Sequence, residues 1–281
     1  MPDVVPGYCG LAYIDGQETR CTDFNLNPQQ EPLFYDHIIG LNDTIPSSDA
    51  TKGAVDGTVN IQKTLFRPST KLVTGGMAFP LTENNANILF PHAKDGSEVE
   101  LEFAYYHGEG REFFNTRINT YNFNITAGDI ANVTTEFMGI NMESKSVDTK
   151  YTDSEKLITW DKVAVTINGS AAEGLQGIQF NVNNNLKAIY TAGSNAETDN
   201  ELLAKEIRVG MQEVTGSVAV YGKEEDLFEL RGPSTIGIDG AGISVDLNVI
   251  FKPLQLSGTL GAFISVIPFV GIDYALGEAD G

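Results

Sequence analysis

Positive charge is scarce in this chain: 18 Lys and Arg stand against 38 Asp and Glu, a formal net charge of −20. Holding a phosphate backbone takes clustered cations whose pairing releases counterions, and no basic run occurs. Stable nucleic-acid binding is therefore not expected. The acidity serves solubility, or it lines a surface that a polyanion must pass without sticking.

Histidine and cysteine are equally sparse. His37, His92 and His107 are scattered, none with a second His, Cys or carboxylate at metal-ligand spacing, so surface or core-edge histidines are expected. Cys9 and Cys21 flank Asp15–Gly16. In a hairpin centred on that turn a disulfide is sterically conceivable, but two cysteines without a secretory leader point to reduced thiols packed as small hydrophobes. The N-terminal "MPDVVPGYCG" has no basic segment followed by an apolar one, so no signal peptide is expected. The longest apolar stretch, "GAFISVIPFVGI", is too short for a spanning helix and contains Pro268, so no membrane association is expected.

Nucleophile and phosphate motifs are missing too. There is no Gly-x-Ser-x-Gly elbow and no cysteine placed beside a histidine. "GIDGAGIS" from Gly237 lacks a following helix and a lysine and reads as a turn. "NIT", "NVT" and "NGS" matter as glycosylation acceptors only in a secretory compartment, and the single Trp160 reads as core. The expectation is a non-enzyme with no catalytic residue, cofactor or metal.

What the chain has is the material of antiparallel sheet. Apolar residues make up 41% and charged residues 20%, enough to fill a core. The 29 glycines among β-branched runs indicate many turns between strands. At 281 residues the length suits about two domains or one large β domain.

Four segments recur in the same order. "LAYIDG" at Leu11 matches "AVTING" at Ala164, and "FNLN" at Phe24 matches "FNVN" at Phe180. "VTGGMAF" at Val73 matches "VTGSVAV" at Val214, and "VELEFAYY" at Val99 matches "VDLNVIF" at Val245. The offsets drift through 153, 156, 141 and 146, as when loops change length while strands hold. The chain therefore reads as a tandem duplication, residues 1–145 and 146–281, divided near the polar "NMESKSVDTKYTDSEK".

Each half reads as a hairpin closed by Asp-Gly or Asn-Gly, a strand, a variable connection, the Val-Thr-Gly strand, a short helix and two or three closing strands. The helices are expected at "TENNANILFPHA" from Thr82 and "KEEDLFELRG" from Lys223. Near the end of the first half Tyr121, Phe123 and Ile125 share one strand face, Asn122 and Asn124 the other. The variable connection is an irregular loop, 43–72, in the first half, either an interaction arm or an ordinary surface loop. In the second half "ETDNELLAKEIRVG" predicts a short helix, capped by Thr198 or Asp199, with Leu202, Leu203 and Ile207 facing inward.

One acidic pattern stands out. In "SEVELEFAYY", Glu98, Glu100 and Glu102 alternate with Val99, Leu101 and Phe103, which puts the carboxylates on one sheet face. The matching segment keeps Asp246 and Asn248 on the equivalent face. A same-strand comb fits a glycosidase cleft poorly. It is a solvated face, or an acidic wall facing a confined polyanion, with Glu98, Glu100, Glu102 and Asp246 as candidates.

The second half, "VAVTINGSAAEGLQGIQFNVNNNLKAIYTAGSN" followed by "EVTGSVAVYG", resembles the tail tube proteins of long-tailed bacteriophages, as does "RINTYNFNITAGDIANVTTEFMGINMES" in the first half. The resemblance runs from about Tyr8 to Ala275. It implies a mainly β chain: two tandem tail-tube-like antiparallel β sandwich or barrel domains, each with a short flanking helix. It further implies a virion structural protein whose copies form stacked rings, the conduit for DNA ejection. A duplicated chain suggests homotrimeric rings with pseudo-sixfold symmetry. The implied partners are further copies of the chain, the tape measure protein and the tail terminator and tip proteins; genomic DNA passes without stable binding, and assembly occurs in the host cytoplasm. The alternatives are another virion part, at the head–tail joint or as decoration, and a surface β-sandwich binding module.

Overall fold

The computed structural model describes residues 11–31, 70–106, 109–146, 156–189, 202–221, 232–253, 255–259 and 262–276. The first half runs β1 (Leu11–Ile14), β2 (Gln17–Arg20), β3 (Asp23–Glu31), β4 (Thr70–Pro80), α1 (Leu89–Asp95), β5 (Glu98–Tyr106), β6 (Glu109–Thr126), β7 (Asn132–Gly139) and β8 (Asn141–Ser146). A 3-10 turn at Trp160–Lys162 leads to β9 (Ala164–Ile167), β10 (Ser170–Ala171), β11 (Leu175–Asn183), β12 (Lys187–Ile189), β13 (Leu202–Leu203) and β14 (Glu206–Arg208). The chain continues through β15 (Glu213–Tyr221), β16 (Pro233–Gly240), β17 (Ile243–Phe251), β18 (Gln255–Thr259) and β19 (Ala262–Leu276).

Turn chemistry sets the first hairpin of each half. Asp15 and Gly16 take φ of 49° and 76°, and Asn168 and Gly169 take 50° and 76°. Positive φ at both central residues is the primed turn whose twist matches the flanking strands, which explains Asx-Gly at both places. "GIDGAGIS" turns only at Ala241–Gly242; the rest of it forms the ends of β16 and β17.

The strands form ladders in a repeated order. In the first half β2 pairs with β1, β1 with β5, β5 with β6, β6 with β7, β7 with β4, and β4 with β3. In the second, β10 pairs with β9, β9 with β16, β16 with β17, β17 with β19, β19 with β15, and β15 with β11. All of these pairs are antiparallel. Strand β18 adds a hairpin on β19.

Strand β6 spans 18 residues and serves two layers. Along one edge it pairs with β8 and then β7; along the other, with β5 and then β11. Phe103 of β5 stacks on Phe24 of β3 with ring centroids 3.5 Å apart, and lies 6.2 Å from Phe137 of β7. The β2-β1-β5 layer thus faces the β3-β4-β7 layer across the core. The fold is a mainly β sandwich, and among the described residues its strands do not close into a barrel. One large apolar cluster runs through both halves, with Phe79, Phe123, Phe180 and Phe269 among its largest fully buried side chains.

The repeated Val-Thr-Gly has a packing reason. Gly75 of β4 lies opposite Phe137 of β7, and Gly216 of β15 opposite Phe269 of β19. A Cβ at Gly75 would sit 2.5 Å from the Phe137 ring, and one at Gly216 would sit 2.3 Å from the Phe269 ring. Each phenyl ring lies over the bare backbone of the glycine, filling the space a side chain would take.

Structure and sequence part company in three places. The stretch predicted helical around Leu202 forms short strands instead: β13 pairs parallel with Thr70–Lys71 of β4, and β14 pairs with β12. Ile207 does face inward, buried with Ile140, Leu186 and Ala204, so tertiary packing overrides helix propensity. Second, "VDLNVIF" forms β17, whereas the ladder position of β5 is taken by β16; Asp246 is therefore not the spatial counterpart of the Glu98–Glu102 strand. Third, Gly75 lies across from Leu26 and Gly216 from Phe180, so "FNLN" and "FNVN" are slipped by two residues, which preserves side-chain parity.

The first-half helix is shorter than its sequence signal. Thr82 and Asn85 bond reciprocally, Asn85 N–H to Thr82 Oγ1 and Thr82 N–H to Asn85 Oδ1, in a capping-box-like turn before Leu89. Gly96 ends it with φ of 67°. The expected helix from Lys223, most of loop 43–72, Thr198, Asp199, Cys9, His37 and His107 lie outside the described residues.

Gly75→Ala should destabilise the chain by roughly 1–3 kcal/mol through overpacking, and adding Phe137→Leu should recover part of that loss. Urea unfolding of the single and double variants measures both.

Candidate functional site: a sheet shared by both halves

Antiparallel strands with open edges seek partners, and the two halves meet by supplying one. Strand β11 adds to the free edge of β6 through seven consecutive pairs, from Gly177–Thr126 to Asn183–Thr120. The layer β3-β4-β7-β6-β11-β15-β19 is consequently one sheet across both halves. Helix α1 packs over its core side, where Phe90 lies edge-on to Tyr121 of β6, at 5.7 Å, and to Phe180 of β11, at 6.1 Å. Tyr121 is fully enclosed there, and burial pushes its phenol above its ordinary pKa.

A polar bolt closes the same joint. The side chain of Asn184, completely buried, donates from Nδ2 to the carbonyls of Ala93 and Ile118, both at 2.9 Å. Gln212 Nε2 lies within hydrogen-bond reach of Asn184 Oδ1 (2.8 Å) and of the Lys94 and Ala93 carbonyls (2.8 and 3.0 Å). Second-half amides thus satisfy the open carbonyls at the C-terminus of α1. The neighbouring asparagines shape the same corner: Asn183 Oδ1 accepts from the Asn185 backbone N–H, and Asn185 takes a left-handed φ of 48°.

The outward face of this shared sheet is lined by amides and hydroxyls from β3 to β11 and turns apolar on β19, where Ile264, Val266, Pro268 and Val270 share it. Asn25, Asn27, Asn122, Asn124, Thr134 and Gln179 are exposed on it. Asn122 lies opposite Asn181, and Asn124 opposite Gln179, across the β6–β11 joint. The carboxylates of Asp23, Glu136 and Glu213 interrupt it. The alternation expected along Tyr121–Ile125 is present, with Tyr121, Phe123 and Ile125 buried and the asparagines exposed.

The acidic comb alternates as expected but lies on the other layer. Val99, Leu101 and Phe103 are buried; Glu98 and Glu100 are exposed and Glu102 is half-buried. Because β5 packs its apolar face toward β3 and β7, its carboxylates point away from the amide face, on the opposite side of the sandwich. Two of them meet cations. Glu98 pairs with Arg117 at 3.2 Å, while Glu102 and Glu112 hold Lys145, whose pKa is raised by its hydrogen bonds to Glu102 and then Glu112. Asp246 is exposed on β17, opposite Gly237 of β16.

Sequence reasoning left His92 without a role, and the structure gives it a structural one. Its Nε2 lies 2.6 Å from Asp15 Oδ2 and its Nδ1 2.8 Å from Ser97 Oγ. Asp15 Oδ1 also accepts the Glu100 backbone N–H. These bonds pin the first hairpin to α1 and β5. Among the described residues no group of three or more His, Cys, Asp or Glu is arranged to hold a metal, and no helix is long and apolar enough to cross a membrane.

The family described as phage tail tube protein matches residues 23–269, from the first residue of β3 to Phe269 of β19. The chain belongs to that family. It is a structural component of the virion tail tube, built from the mainly β fold described above. No curated protein matches the chain.

Replacing Asn184 with Leu should lower stability by roughly 2–3 kcal/mol, since it removes the side-chain donor to the Ile118 and Ala93 carbonyls and the acceptor of Gln212 from a buried site; chemical denaturation reads the loss. Cys21 offers a second check. Burial pushes its thiol up to about 12, against a backbone hydrogen bond with Ala12 that lowers it. In a Cys9→Ser background the folded chain should resist alkylation at pH 8 and react on unfolding. With the folded pKa raised, this thiol's contribution to stability is full below its unfolded pKa of about 8.5 and falls as pH rises toward the folded value.

Proposed function

We propose that copies of this chain close into rings that stack into a hollow tube, through which the genome leaves the particle, and that the amide face of the shared sheet lines the bore. The supporting observation is the β6–β11 ladder. A sheet already continuous between two halves can continue between copies, and a head-to-tail contact that closes by rotation gives a ring. The matching ladder order of the two halves favours the duplicated reading, 1–145 and 146–281, with three chains supplying six similar wedges. Assembly in the host cytoplasm, around a tape measure protein and against terminator and tip proteins, fits this role, with the 43–72 loop as a candidate contact between rings.

The two candidate walls, the amide face and the acidic comb, occupy opposite sides of the sandwich, so only one of them looks inward. The comb's carboxylates are partly neutralised by Arg117 and Lys145, and among the described residues β2, β1, β5 and β8 pair with no strand of the second half. Duplex DNA carries a phosphate charge about every 1.7 Å of axis. The amide lining of β3, β6, β7 and β11 offers it no cation to release counterions, while the carboxylates on that face, the acidic comb and the net charge of −20 keep the rest unattractive to it.

Native mass spectrometry and class averages of assembled tubes should show three chains per ring; six full chains would reject that stoichiometry. Lysines at Asn122, Asn124 and Thr134 should slow DNA release from purified particles with tubes intact. Lysines at Glu98, Glu100 and Glu102 should leave it unchanged, and the reverse pattern would move the bore to the comb.

A further inference from the structure

Resting on the ring assembly above, we propose that β18 of one copy pairs antiparallel with β3 of the next, in the register that β6 and β11 keep within the chain. Among the described residues β3 is paired only with β4, and β18 only with β19. These borders lie at opposite ends of the shared sheet. Their places in the ladders are the informative point. Strand β18 follows β17 and folds back on β19, as the second part of β6 folds back on β7. Together β17 and β18 occupy the place of β6, and β3 occupies the place of β11. Inside the chain those two places are hydrogen-bonded to each other. The chain therefore carries both sides of a second such joint, and a second copy is the partner that fits both.

The register follows from the glycine–phenylalanine pairs. Gly75–Phe137 and Gly216–Phe269 are equivalent, so Leu26, across from Gly75, stands where Phe180 does. Asn132, five residues before Phe137, lies opposite Asn124, and Ile264, five before Phe269, lies opposite Ser257. Ser257 therefore stands where Asn124 does. The internal Gln179–Asn124 pair becomes Asn25–Ser257 between copies. The same mapping gives Asp23–Thr259, Phe24–Gly258, Leu26–Leu256 and Asn27–Gln255, which uses all five residues of β18. Edge pairing of this kind supplies main-chain hydrogen bonds for affinity and removes two aggregation-prone borders.

The test is a cysteine register scan in assembled tubes, with Cys9→Ser and Cys21→Ala as background. Asn25→Cys with Ser257→Cys should give disulfide-linked oligomers on a non-reducing gel, because directly opposed Cβ atoms lie about 4.5–5.5 Å apart. Asn27→Cys with Thr259→Cys, four residues out of register and about 13 Å apart, should stay monomeric. If tubes are visible but the matched pair stays monomeric, or the mismatched pair links equally well, the pairing is overturned while the tube reading stands. If the unmodified chain forms no annuli, the tube reading falls and this pairing with it. Amide hydrogen exchange needs no variant: Asp23–Asn27 should exchange at least tenfold more slowly in tubes than in free chains, and unchanged rates would overturn the pairing.

Discussion

Every backbone N–H and C=O in a sheet needs a partner, and the border of a sheet is where that requirement goes unmet. Strand β6 shows how this chain meets it. Too long for a single layer, it lends its first part to β5 and β8 and its second to β7 and β11. One strand thereby belongs to both layers and both halves. The shared core, the placement of α1 and the opposed amide and acidic faces all follow from that double membership.

Small local choices then keep the joint in register. The glycines of the two Val-Thr-Gly strands admit a phenyl ring from the adjacent strand, which discourages sliding between β4 and β7 and between β15 and β19. Asn184 and Gln212 close the C-terminus of α1 with hydrogen bonds that only a correctly seated second half can supply. Apolar side chains alone would bury as much surface but tolerate more than one seating, whereas directional bonds in a dry site select one.

Much of the architecture was legible in the residues. Asx-Gly at residues 15–16 and 168–169 marked two hairpins because few residues tolerate two positive φ angles in succession. Period-two alternation placed Tyr121, Phe123 and Ile125 inside, and Glu98, Glu100 and Glu102 outside. Alternation says which side chains share a face; it is silent on which face turns toward a bore, since that depends on which layer spans both halves. The Leu202 segment misled because its leucines and isoleucine satisfy a helical stripe, while the actual ladder with β4 depends on residues more than a hundred positions away. The role of Asn184 was hidden for the same reason: three consecutive asparagines do not show that one of them reaches the Ala93 carbonyl, 91 positions away.

The two-residue slip between β3 and β11 has a consequence for comparing such chains. In a pleated ribbon, two is the smallest translation that returns every side chain to its own side, so drift of that size is invisible to burial and leaves the packing chemistry intact. Lining the halves up by letter identity matches Phe24 to Phe180, although it is Leu26 that stands in that place. Kinship among walls of this sort is better measured with a ruler graduated in hydrogen-bond rungs than by counting shared letters.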